Sequence, residues 1–233
     1  MAMTVDLKAI KDAKSLASSG KPTEAINLLQ ENLARLQETA ESDADAATMF
    51  EVEKAKGLFE LAAGEILKGV DNPREAVTHF LLSAQALRSA GSMGDMSPEP
   101  LYLCLNGISE CFAALDSEFE RDKYAREADE VKSTMLREQI AQRMAGQGFK
   151  YKQDIKLAGS PQTIDFVAEK GFLFWKKQIY VWFAFDETEC QHLSLSSRDI
   201  RGDKYFLLVR GNPAMVVPRY GEKIIKSPDE IDV

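Results

Sequence analysis

The sequence predicts two domains: an all-α domain of antiparallel helical hairpins over residues 1–146, then a small α/β domain with a mixed sheet over residues 147–233. Three observations predict this. Apolar residues recur with the helical period almost throughout the first part. After Gly146 and Gly148 the pattern changes to short aromatic and β-branched runs divided by turn residues. The 233 residues, 45% apolar and 28% charged, suffice for two cores of ordinary globular composition.

Six helical stripes follow one another. They are Leu7, Ile10, Ala13 and Ala17; Ile26, Leu29, Leu33 and Leu36; Phe59, Ala62, Ala63, Ile66 and Leu67; Ala76, Val77, Phe80, Leu81, Ala84 and Leu87; Leu101, Cys104, Leu105, Ile108, Cys111, Phe112 and Leu115; and Ala125, Ala128, Val131 and Met135. The punctuation agrees with them. Gly20 ends the first helix, and Pro22 stands where a first-turn proline is tolerated in the second. Ser42 or Asp43 is placed to cap the third. Asn72 followed by Pro73 puts a capping side chain before a first-turn proline and opens the fourth. Gly91 to Pro100 reads as a loop, with Pro98 and Pro100 opening the fifth helix. The sixth has neither proline nor glycine from Arg121 to Ala145, so it runs about 25 residues and bridges the two parts.

Part of this pattern repeats. Ala13 to Gly20 followed by Glu24-Ala25-Ile26 has a counterpart in Ala62 to Gly69 followed by Glu75-Ala76-Val77. A third copy is Cys111 to Asp116 followed by Tyr124-Ala125. Small residues at these positions let antiparallel helices approach closely. The pattern resembles tetratricopeptide repeats, with copies about 50 residues apart instead of the usual 34 or so. The resemblance implies stacked hairpins with a concave face that binds a protein or peptide partner. A closed six-helix bundle is the alternative, and it offers no groove. His79, beside Phe80, is expected in the core or at its rim.

Strands are expected at Phe149–Leu157, Thr163–Glu169, Gln178–Phe185, Tyr205–Val209 and Lys223–Lys226, with turns at Gly159-Ser160-Pro161 and Lys170-Gly171. Ser194–Arg201 reads as a short helix, and Pro213–Tyr220 as a helix or an extended crossover. Gln178–Phe185 is apolar on both faces, as in a central strand covered on both sides. This order resembles the restriction-endonuclease-like superfamily over about residues 135–231, with Ile164-Asp165-Phe166-Val167-Ala168 on one strand and a closing turn from Ile224 to Ile231. In that family an Asp on one strand and Glu-x-Lys on the next hold a divalent metal and activate water. Asp165 matches the first position and is the one metal-ligand candidate. The next strand reads Lys177-Gln178-Ile179-Tyr180-Val181-Trp182, with no carboxylate before Asp186. The resemblance therefore implies a degenerate, non-cleaving version. The competing expectation for Asp165 is an aspartate facing solvent or paired with a lysine.

Charge and motifs narrow the function. Residues 1–148 carry a formal −9 and residues 149–233 a formal +1. The acidic part repels phosphate backbones, which leaves nucleic acid a partner of the second domain only. There the candidates are Lys176, Lys177, Arg198, Arg201, Lys204, Arg210 and Arg219, with Trp175, Tyr180 and Trp182 near them in sequence. Three cysteines argue for a reducing compartment, and Cys104 and Cys111, two helical turns apart, for buried thiols. The absence of a signal-like start and of any long apolar run points to the cytoplasm. No phosphate-binding loop or nucleophile elbow is present. Cys190-Gln-His192 would place a thiol and an imidazole on one side of a strand, with Glu187 or Glu189 as the orienting group thiolate chemistry needs, but surface loops of mixed polar residues give the same pattern by chance. The expected protein is a non-catalytic interaction or scaffold protein without a cofactor; the alternative is a nucleic-acid-associated protein with a degenerate nuclease-like domain.

Overall fold

The structure, a computed structural model, describes residues 7–41, 45–156, 163–172 and 175–232. It divides into two compact units, Met1–Val131 and Lys132–Val233. None of its helices is long and apolar enough to cross a membrane, among the described residues.

The first unit is built from α1 (Leu7–Ser18), α2 (Pro22–Glu41), α3 (Ala46–Gly69), α4 (Pro73–Met93), α5 (Glu99–Ala114) and the start of α6 (Glu118–Gly146). The caps explain the boundaries. Asn72 Oδ1 accepts from Glu75 N at 3.4 Å ahead of Pro73. Asp45 Oδ1 accepts from Thr48 N at 2.7 Å and caps α3; the expected caps Ser42 and Asp43 lie outside the described residues. The expected loop from Gly91 is shorter than read, because α4 continues to Met93. The first proline after it is Pro98, so nothing forbids helix before that point.

Three hairpins close in the same way. Lys21 N donates to Leu16 O at 3.1 Å, Asn72 N to Leu67 O at 3.0 Å, and Ser117 N to Phe112 O at 3.0 Å. The residue before each donor is left-handed: Gly20 at φ 79°, Asp71 at 59° and Asp116 at 55°. This is the six-to-one closure of a helix C-terminus, repeated at equivalent places. Each helix then packs on the next, from α1 through α5, and the odd-numbered helices α1, α3 and α5 also lie side by side. No substantial pairing of α1 with α4, α5 or α6 closes the array, among the described residues.

Small residues make these approaches possible. Ala13, Ala25, Ala55 and Ala62 are buried with Leu29 and Phe59 between α1, α2 and α3. Further along, the Phe80 ring of α4 passes between two glycines. A Cβ on Gly64 of α3 would lie 2.7 Å from Phe80 Cδ1, and one on Gly107 of α5 would lie 2.6 Å from Phe80 Cζ. Gly57 makes the same room for Leu87, with 2.5 Å to its Cδ2. Burying a ring of this size contributes about 1.5–3 kcal/mol.

The second unit takes the rest of α6, then β1 (Lys150–Lys156), β2 (Thr163–Phe172), β3 (Trp175–Ala184), α7 (Glu187–Ser196), β4 (Asp203–Leu208) and β5 (Lys223–Ile225), with 3-10 turns at Pro213–Met215 and Pro228–Glu230. The sheet order is β1-β2-β3-β4-β5. β1–β2 and β2–β3 are antiparallel, and β3–β4 and β4–β5 are parallel. Central β3 is covered on both faces, as its sequence predicts. Val181 and Phe183 pack with Leu136, Ile140 and Met144 of α6, and Trp182 and Ala184 with Cys190 and Leu193 of α7.

Three boundaries differ from the sequence reading. The units divide at residue 131, not 146, because Leu136, Ile140 and Met144 belong to the core of the sheet. Lys170 and Gly171 are strand residues paired with Lys177 and Lys176. The reversal between β2 and β3, like the expected turn at Gly159-Ser160-Pro161, lies outside the described residues. α7 begins at Glu187 instead of 194, because Asp186 caps it by accepting from Glu189 N at 2.8 Å. Residues 213–220, read as a helix or an extended crossover, open with the 3-10 turn at Pro213–Met215 and run on without helix or strand.

Candidate functional site

In the second unit a cleft of about 640 Å³ opens among α6, β2, β3 and α7, lined in part by Arg137, Asp165, Phe183, Phe185, Glu189 and His192. The local sequence delivers each of these. Arg137 follows Leu136, a core residue of α6, and so emerges at the edge of the helix face that covers the sheet. Phe183 and Phe185 stand two apart at the end of β3. Asp186 stops the strand and starts α7, which brings Glu189 and His192 alongside.

Arg137 organises the polar side. Its Nη1 donates to Asp154 Oδ1 at 2.9 Å and its Nη2 to Asp165 Oδ1. The guanidinium carbon lies 5.1 Å from the centre of the Phe183 ring. Asp154 and Asp165 face each other across β1 and β2, between the pairs Gln153–Phe166 and Ile155–Ile164. Asp154 takes a left-handed backbone, φ 52°, inside its strand. The other oxygen of Asp165 accepts from Phe183 N at 2.8 Å. Burial pushes the Asp165 carboxyl above its usual range, outweighing the Phe183 N–H and Arg137, and the charges of Asp154 and Glu189 push it further. The expected solvent-facing or lysine-paired aspartate is thus a largely buried one held by an arginine.

Two of the carboxylates at this cleft are engaged by backbone N–H groups. Glu189 Oε2 accepts from Phe185 N at 2.7 Å, and Asp186 is committed to its cap. Cys190 and His192 are on a helix, not a strand, so residues two apart point to nearly opposite sides. Cys190 is buried and His192 is exposed. Burial, with the charges of Glu222, Glu189 and Glu187, pushes the Cys190 thiol up to about 12. Phe183 of β3 and Phe185 just after it line the cleft with Asp165 and supply neither a carboxylate nor an ammonium. Among the described residues no group of three or more His, Cys, Asp or Glu is placed to hold a metal ion.

Of the basic candidates, Lys176, Lys177 and Lys204 share the end of the sheet where β3 and β4 begin, and Arg201 leads into it. Carboxylates are interleaved there. Lys176 pairs with Glu169 at 2.5 Å, Lys177 with Asp203 at 3.7 Å, and Arg198 with Asp199 at 3.4 Å. Lys204 is buried and donates to Ser197 O at 3.3 Å. Arg210 follows β4 at its opposite end, and Arg219 is exposed before β5. Trp182 is buried and stacked with Tyr180 at 6.1 Å; the side chain of Trp175 lies outside the described part.

The helical unit offers a different surface. Lys14 of α1 pairs with Glu65 of α3 at 2.7 Å, and Lys68 of α3 with Glu110 of α5 at 2.5 Å. Ion pairs thus bridge the three odd-numbered helices. His79 takes the expected rim position, with Nδ1 2.6 Å from Glu60 Oε2. Cys104 and Cys111 are buried, and burial pushes the Cys104 thiol up to about 11.

Sequence reading missed Arg137, Asp154 and Glu222. Glu222 is buried and accepts from Ser194 Oγ, from Arg219 N at 3.0 Å and from Tyr220 N at 2.7 Å. The nearest signal for Arg137 is its place beside the core residue Leu136. Asp154 carries none, since its partner lies 17 residues away. No family model matches the chain, and no curated protein or solved structure matches it.

Proposed function

We propose that the chain is a non-catalytic interaction or scaffold protein. Its helical hairpins act as a tetratricopeptide-like array that binds a protein or peptide partner, and its α/β module is a second binding or assembly surface. The observation that carries this is the thrice-repeated hairpin closure together with the side-by-side odd-numbered helices, which is how stacked hairpins generate a continuous binding face. The test compares the full chain with a variant reversed on that face, Lys68→Glu of α3 with Leu103→Asp, an exposed leucine two turns before Glu110 on α5, in affinity capture with quantitative mass spectrometry. A defined set of proteins retained by the wild type and lost from a folded variant is expected. Identical retention by both sinks the reading.

A second reading is favoured by the element order of the later unit. Helix, three antiparallel strands, helix and a strand parallel to the third follow one another, with Asp165 on the second strand. This supports a nuclease-like module that has lost its metal chemistry and associates with nucleic acid through Lys176, Lys177, Arg198, Arg201, Arg210 and Arg219; Lys204 of the original set is buried. A mobility-shift titration at rising salt tests it. Phosphate contacts predict affinity that falls steeply with salt, and no shift at low salt rejects it.

A further inference from the structure

In an intact module of the nuclease-like kind a divalent cation would sit at Asp165, and the residues present do not fit one. The reason is the arginine already seated there. Two carboxylates opposite each other on neighbouring strands repel, and such a pair is destabilising unless a cation lies between them. Asp154 and Asp165 form that pair, and Arg137 gives one nitrogen to each. The planar guanidinium suits two acceptors at once, and the Phe183 ring covers one of its faces. Asp154 holds a left-handed backbone, which L-residues rarely adopt, while its carboxylate meets Arg137. A Mg²⁺ ion needs six oxygens close around it, commonly one or two carboxylates completed by water. The arginine fills that space.

We propose that the guanidinium of Arg137 takes the place of a divalent cation between Asp154 and Asp165, so that the module carries its cation as a side chain and exchanges it for a hard metal ion only when Arg137 is removed. The inference rests on the nuclease-like reading for the place of Asp165 in the fold. Its test reads cation binding and not nucleic acid, so either can fail alone.

The full-length wild type and Arg137→Met, which keeps an apolar stem over Phe183, are titrated with MnCl₂ and free Mn²⁺ is followed by electron paramagnetic resonance. Arg137→Met is expected to bind Mn²⁺ at least about tenfold more tightly than the wild type. Mn²⁺ is also expected to raise the thermal midpoint of Arg137→Met and to leave that of the wild type unchanged. Adding Asp154→Asn to Arg137→Met abolishes the gain. Equal binding by wild type and variant overturns the proposal, as does a gain that survives Asp154→Asn. If Arg137→Met folds only when refolded with Mn²⁺, that rescue supports the proposal; failure to fold with Mn²⁺ present overturns it.

Discussion

In the helical unit the closest approaches depend on missing side chains, with Phe80 seated between Gly64 and Gly107 and Leu87 over Gly57. In the sheet unit they depend on carboxylates that capture donors from other elements and from their own connections. Asp165 takes Arg137 and Phe183 N, Glu189 takes Phe185 N, and Glu222 takes Ser194 and two backbone N–H groups. The first device relies on shape and dispersion, which pH does not touch. The second relies on charge, which acid removes. A repeated array needs each helix to fit only its neighbours, whereas a mixed sheet must also fasten long connections such as 209–222.

The largest break in this contrast is Phe80→Ala. It empties the space between α3 and α5 and is expected to cost about 3–5 kcal/mol in chemical denaturation. Next comes the converse, overfilling. Gly64→Ala or Gly107→Ala drives a Cβ into the Phe80 ring and is expected to cost about 1–3 kcal/mol, despite alanine's better helix propensity.

In the sheet unit, Glu222→Gln keeps the shape and removes the charge, and is expected to cost about 1–2 kcal/mol. Burial raises the Glu222 carboxyl, but Ser194 and the N–H groups of Arg219, Glu222 and Tyr220 outweigh it and leave it below the ordinary glutamate value. Its contribution is therefore present above the unfolded-state value and lost as pH falls through the folded one. Denaturation midpoints from neutral to acid pH should fall less for Glu222→Gln than for the wild type; parallel curves would count against the assignment.

The mildest perturbation sharpens the comparison. Gly91→Ala meets nothing within 4 Å on α4 and is expected to stabilise by up to about 1 kcal/mol, opposite in sign to Gly64→Ala. Last, all three thiols should resist alkylation at neutral pH until the chain unfolds, since burial pushes Cys104 to about 11, Cys190 to about 12 and Cys111 upward. Rapid labelling of the native protein would contradict this.

Legibility followed the range of the interaction. Asn72-Pro73 and Gly20-Lys21-Pro22 mark helix ends because capping and proline restriction act over three or four residues. Gln178–Phe185 announces a strand covered on both faces because consecutive residues, not only alternate ones, are apolar. The start of α7 was misplaced, since Asp186 reads equally well as the end of a strand. Cys190 and His192 then received the wrong geometry. The candidate cleft was nearly silent: Asp165 was visible only through a family resemblance, and Arg137 and Asp154 not at all.

Residue order alone determined the six helices, the change to strands after Gly148 and the small residues at the hairpins, because these follow from steric and hydrogen-bonding rules between near neighbours. Tertiary structure alone decided that α6 contributes its second half to the sheet's core and that an arginine meets two aspartates 17 and 28 residues away. Those choices depend on which apolar faces bury each other and on which charges burial forces to find a partner, and neither leaves a periodic trace along the chain.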